Sequence, residues 1–337
     1  MTTLADRAQA LAPLGFTPRQ ARFLATVALH SGYCLRRQYA AFAGVANGKN
    51  VSAFLDGLVV RRLADRFTRR ADRGHVYHLH ARTLYRLLGE DESRNRRAGS
   101  AAFIARRLMV LDYVLAHPDG EWLATEAEKL AWCADQWAVP RRDLPQHVYP
   151  PARPSDAPTI SYFPHRWPVG IVGQPPATHF VALITGDGGR AFAQFLTDHA
   201  AVLRRVPAAT VVAVAPKTHR GLAACRDAFA RLLHPQAPVT GIRADELRWY
   251  LQTRQAVDRG HWAGLSVADL DRFRTLRDRL ATPDVEALYR DWTAHGERAL
   301  ERPVSSAASG RSEPVCRLVT EVLPFDYSQF GSLPGVA

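Results

Sequence analysis

The side chains best equipped for chemistry are cations and amides gathered near the start of the chain. Arg36, Arg37 and Gln38 stand together, Asn47, Lys49, Asn50 and Ser52 follow, and Arg66, Arg69, Arg70, Arg73 and His75 come next. Asn47, Lys49, Asn50 and Ser52 can reach base edges or phosphates, while arginines hold phosphates. No catalytic centre is comparably dense. The 4 cysteines, Cys34, Cys133, Cys225 and Cys316, form no CxxC pair, so neither a zinc site nor a disulfide framework is expected. His75, His78 and His80 resemble metal ligands at first sight. Without a cysteine or carboxylate at ligand spacing, histidines lying near phosphate are the better expectation. His165, His179, His199 and His219 do not fall at metal spacing, and no Ser or Cys occupies a nucleophile elbow. Gly186-Asp187-Gly188-Gly189-Arg190 could cradle a phosphate on its backbone but lacks P-loop spacing, and reads as a tight strand-to-helix turn. No catalytic residue, metal or cofactor is expected.

Charge sharpens this. The chain has 337 residues and a formal net charge of +12. Residues 1–110 hold 19 basic and 7 acidic residues, and the remainder holds 25 of each sign, so the whole excess lies in the first third. A genomic preference for arginine explains why only 3 lysines occur, but not this asymmetry. A basic unit joined to a neutral body points to a polyanion, because neutralised phosphates release counterions and drive association. A basic surface that is merely solvated is the competing reading. No run of 18 apolar residues occurs, and the first residues, with Asp6 and no long apolar stretch, do not read as a secretory signal. A cytoplasmic protein without membrane contact is expected.

The elements that would position these donors come next. Thr17-Pro18 is a cap and first turn, followed by Phe23, Leu24, Val27 and Ala28 at helical spacing. Leu35 to Ala43 predicts a second helix, and Asn47 to Arg62 a third. Two short strands flanking Asp72-Arg73-Gly74 predict a hairpin. Three helices and a basic hairpin follow the order of a winged helix-turn-helix, whose third helix offers its start to the major groove. Such units also bind proteins, so an adaptor stays open as a reading. Gly89 to Ser100 reads as a polar linker. Beyond it, Phe103 to Leu115 forms an apolar helical stripe suited to packing within the chain or to a dimer seam. Glu121 to Trp137 predicts another helix.

The proline-rich stretch 138–159 reads as an irregular crossing. Strands at Thr159–Phe163, Val169–Val172 and His179–Thr185, a helix at Arg190–Arg205, a buried strand at Thr210–Ala215 and a helix at Thr218–Leu233 give the order α-β-β-β-α-β-α. That order resembles the PD-(D/E)xK restriction-endonuclease-like core. With the preceding winged helix, the layout over roughly residues 15–235 resembles the replication-relaxation-type proteins of bacterial mobile elements. The resemblance implies a second-strand acid and a third-strand acid paired with Lys or Asp, holding a metal for phosphodiester hydrolysis. Here the second strand begins Pro168-Val169-Gly170 and the third reads Phe180-Val181-Ala182-Leu183-Ile184, with Asp187 alone beyond it. One carboxylate rarely holds a hard cation, so a catalytically silent core is implied.

Helices are predicted at Ala244–His261, Val267–Leu280 and Val285–Leu300, a flexible linker at Pro303–Pro314, and a last strand at Val315–Leu323. The expected organisation is α+β and multidomain: 1–92 winged helix, 93–140 connecting helices, 141–235 a nuclease-like α/β domain, 236–302 a helical region, and 303–337 linker and tail. The expected function is sequence-specific binding of double-stranded DNA, as a homodimeric transcriptional regulator of a mobile-element or defence locus. The alternative is a metal-dependent nuclease or nicking enzyme using Asp187 with Glu126 or Glu128.

Overall fold

The computed structural model describes residues 2–68, 74–151, 153, 157–185, 188–206, 208–219, 221–233, 244–261, 264–280, 283–301 and 316–327. Arg69, Arg70, Arg73 and Asp187 lie outside them. Within them the chain is mixed α+β, with 13 α-helices and three sheets.

The N-terminal unit comprises α1 (Leu4–Ala10), α2 (Pro18–His30), β1 (Tyr33–Leu35), α3 (Arg36–Ala43), α4 (Lys49–Val60), β2 (Ala64–Thr68), β3 (His75–Leu79) and α5 (Arg82–Leu87). Thr17 and Gln20 close a reciprocal capping box around Pro18, which starts α2 where the sequence predicts. Helix α3 is shorter than expected because Leu35 belongs to β1. That strand pairs antiparallel with β3, which pairs antiparallel with β2, giving the order β1-β3-β2. Gly32, at φ 79°, makes the turn into β1. A Cβ on it would lie 2.4 Å from the Asn95 carbonyl oxygen, so glycine is required on both counts.

The predicted polar linker is in part a packed joint. Asn95, in a short 3-10 turn at Arg94–Arg96, is buried and donates to the carbonyls of Ala28 and Leu29 at 2.9 and 3.0 Å. Helix α6 (Ala101–Ala116) follows. Leu111 packs with the N-terminal core, whereas Ile104, Leu108 and Tyr113 pack between Tyr33, Leu35 and Val76 on one side and the central sheet on the other. The apolar stripe is thus covered within the chain.

The body continues with β4 (Glu121–Leu123), α7 (Glu126–Trp137), β5 (Gln146–Tyr149), β6 (Thr159–Tyr162), β7 (Val169–Val172), β8 (Ala177–Leu183), α8 (Gly188–Leu203), β9 (Ala209–Ala215) and α9 (Leu222–Leu233). Then come α10 (Ala244–Asp258), α11 (Val267–Arg279), α12 (Pro283–His295), α13 (Arg298–Glu301) and β10 (Arg317–Val322). The central sheet has the order β10-β9-β8-β7-β4, parallel at β10, β9 and β8 and antiparallel at β7 and β4.

Two strand expectations are corrected. The helix expected at Glu121–Trp137 begins only at Glu126, because the Thr125–Glu128 capping box starts it there. The preceding residues form β4, with Trp122 opposite Gly170. Only glycine fits at that register position, since a Cβ on Gly170 would meet the Trp122 ring at 2.5 Å. Strand β6 does not join the central sheet. It pairs in a separate ribbon with β5, which forms within the stretch expected to be irregular.

Alternation along β8 and β9 buries both sheet faces. Phe180, Ala182, Val211 and Ala213 face α8 and α9, while Val181, Leu183, Val212 and Val214 face α6. Helices α10 to α13 enclose their own core around Tyr250, Leu276 and Trp292. No helix among the described residues is long and apolar enough to cross a membrane.

Candidate nucleic-acid interface

Helix α4 turns Val51, Leu55 and Leu58 into the core, so its opposite face and opening turn lie outward. Asn47, Lys49 and Asn50 are exposed and Ser52 is half-buried. Gly48 caps the helix without a side-chain acceptor, which leaves the first-turn N–H groups and the positive helix end facing out with these donors.

Beside them, Asp56 gathers the neighbouring cations. Its carboxylate accepts from Arg36 Nη2 at 3.1 Å, Arg66 Nη1 at 3.1 Å and Tyr77 Oη at 2.7 Å, and Arg36 Nε donates to Tyr77 Oη at 3.0 Å. Partial burial opposes ionisation of Asp56, but the Tyr77 and Arg66 hydrogen bonds and the two guanidinium charges hold its pKa below the usual carboxylate value. Arg36 and Arg66 are therefore oriented on the α4 side of the hairpin, with side chains 30% and 43% exposed and able to meet phosphate as well. His75 is half-buried at the end of the paired strands farthest from Ala64 and Leu79, with Nδ1 3.3 Å from Thr68 Oγ1. The two strands pair antiparallel with Thr68 opposite His75.

Two expected donors lie elsewhere. Gln38 is buried, its Oε1 accepting from Leu35 N at 2.9 Å and its Nε2 donating to Leu108 O at 3.1 Å, so it joins α3 to α6 and cannot reach a groove. Arg37 forms a fork with Asp112, both contacts at 2.6 Å, and its guanidinium lies 3.4 Å from the centre of the Phe325 ring. Tyr327 donates to the same Asp112. Arg37 thus fastens the N-terminal unit to α6 and to the chain's last described residues. His78 is corrected too: it is buried, stacked 4.2 Å from Tyr33, with Nε2 3.0 Å from Asn95 O. Burial lowers its pKa, so it is a neutral core histidine, away from any phosphate.

One cation escaped the sequence reading. Arg19, at the start of α2, donates to Ala43 O at 3.1 Å and stands beside the turn leading into α4. Its only signal was its charge, since the contact spans distant positions.

The acids of a rearranged metal site have structural partners. Glu126 accepts from Tyr162 N at 3.0 Å, while Glu128 accepts from Ala124 N and Thr125 N at 2.8 and 3.0 Å and pairs with Arg7. Among the described residues no three His, Cys, Asp or Glu side chains converge as metal ligands. Compared with family models, with curated proteins and with solved structures, the chain matches none.

Proposed function

We propose that the N-terminal unit is a winged helix that binds double-stranded DNA, with α4 entering the major groove and the β2–β3 hairpin lying along the backbone. Its helix-strand-helix-helix-hairpin order and β1-β3-β2 sheet support the winged-helix reading. The observation that carries the proposal is the outward cluster at the start of α4. Asn47, Lys49 and Asn50 are exposed on a helix whose other face is core, flanked by Arg36 and Arg66 held in place through Asp56.

The body is read as a degenerate nuclease-like scaffold. Taking α6, β4, β7, β8, α8 and β9 in turn gives the α-β-β-β-α-β order, with β10 added at the edge and α7, β5 and β6 inserted after the first strand. Neither β7 nor β8 carries an acid, which favours a scaffold that lacks hydrolysis. The protein then acts as a sequence-specific regulator of transcription at a mobile-element or defence locus. A second copy on a paired half-site would meet the first through a surface other than α6.

The test is selection from a random duplex pool followed by sequencing of the retained DNA. Enrichment of one short motif is expected, with the preference at one of its positions lost in Asn50→Ala. An unenriched pool, or the same motif retained by the variant, would remove the reading.

A further inference from the structure

Between the N-terminal unit and the body lies a cavity of about 450 Å³, walled by the end of α2, residues 89–95, α6, the start of α7 and residues 162–168. That volume lies within the range of small-molecule sites, roughly 300–1,000 Å³. Two cations line it from deep positions. Lys129 on α7 is 3% exposed, and Arg107 on α6 is 5% exposed. Lys129 Nζ donates to Trp167 O at 2.8 Å, and Arg107 donates to Ser31 O at 3.1 Å and to Asn95 Oδ1 at 2.5 Å. Among the described residues neither forms an ion pair with a carboxylate. The exposed Arg166 lines the same cavity, also without an ion pair among the described residues.

Two buried cations facing one space are poor devices for stability, because each is desolvated and each repels the other. Burial, and then the charges of Arg107 and Arg166, draw the Lys129 ammonium down to about 7. Burial and Arg166 draw Arg107 down to about 10. Among the carboxylates of the lining, the charge of Glu126 offsets the Lys129 ammonium only in part. Glu126 accepts from Tyr162 N and Ser161 Oγ, and Asp91 and Glu92 pair with Arg82. Burial raises the pKa of Glu90 toward its neutral form. Tyr162 and Trp167 complete the lining with apolar surface.

We propose that this cavity binds a small phosphate-bearing molecule of mononucleotide size, its phosphate met by Lys129, Arg107 and Arg166 and its base by Tyr162 and Trp167. Both halves of the chain wall the cavity, so an occupant would brace the N-terminal unit against the body.

The test contains no DNA, so its failure is separate from that of the DNA reading. Calorimetry and thermal melts are run on the full chain with AMP, GMP, pyrophosphate and adenosine. AMP or GMP is expected to bind and to raise Tm by several degrees at a large excess over Kd, with adenosine inert and pyrophosphate weaker. Lys129→Met should weaken nucleotide binding at least roughly tenfold while melting higher than the parent, because it removes a buried charge. Arg166→Ala, at an exposed position, should weaken binding with an unchanged melt. Absence of binding by every probe, or parental affinity in both variants, would overturn the site. Pyrophosphate binding as tightly as AMP and GMP would overturn the nucleotide assignment.

Discussion

The cations at the start of α4 and those at the joint contribute alike to the net charge, yet their surroundings are opposite. Lys49 is exposed at the helix start, and Arg66 keeps 43% of its side chain exposed despite its contact with Asp56. Arg37 is forked onto Asp112 beneath Phe325, and Arg107 and Lys129 are buried against carbonyls. Charge that stays exposed is available to a polyanion. Charge that is desolvated and oriented either binds the chain together or waits for a small anion. The excess positive charge of the first third therefore overstates the exposed cationic surface open to a polyanion, since part of it belongs to the joint.

Substitutions can break that contrast, and the largest effect belongs to the joint. Asp112→Ala strips Arg37 and Tyr327 of their shared acceptor, and losing one member of a largely buried pair should destabilise the fold by roughly 3 kcal/mol. Chemical denaturation should show that loss while DNA affinity well below the melting point stays at the parental value. Asn50→Ala reverses the pattern. Its melt should match the parent, whereas discrimination at one base pair should fall by about 1–3 kcal/mol when binding is compared across single-base variants of the preferred duplex.

The smallest and most diagnostic change is Asp56→Asn, which frees Arg36 and Arg66 from a carboxylate. DNA affinity should rise a few-fold in a titration at low salt, with a stability loss of about 1 kcal/mol from weakened hydrogen bonds. The sign of its pH dependence follows from the lowered folded-state pKa. The stabilisation from Asp56 is present above the unfolded-state pKa of about 3.9 and is lost as pH falls through the lower folded value. The melting difference between parent and variant should therefore close in acid.

Local chemistry made much of the N-terminal unit legible. Thr17-Pro18 marks α2, and Asn47 to Ser52 marks the open start of α4. The continuous apolar run Thr210–Ala215 was equally readable as a buried strand, and is β9 almost to the residue. What escaped was decided at long range. Gln38 and Arg37 look like exposed donors at a helix start because their partners, Leu108 and Asp112, lie 70 and 75 residues away. Strand β4 spans only 3 residues, too few to show a period, and its register depends on Gly170 making room for Trp122. Asn95 sits in a polar stretch that composition assigns to solvent, though its amide ties the joint to α2. The cavity was illegible for the same reason, since Arg107, Lys129 and Arg166 meet only when the two halves pack.

The central claim is that the outward face at the start of α4 holds duplex phosphate and reads bases. Fluorescence anisotropy of a labelled duplex carrying the selected motif, titrated across salt concentrations for the parent and for Lys49→Ala, tests it most directly. The expected result is a linear fall of log affinity with log salt whose slope shrinks by about one in Lys49→Ala, with affinity lowered equally on motif and non-motif DNA. Salt-independent binding, or an unchanged slope and affinity in the variant, would contradict the account.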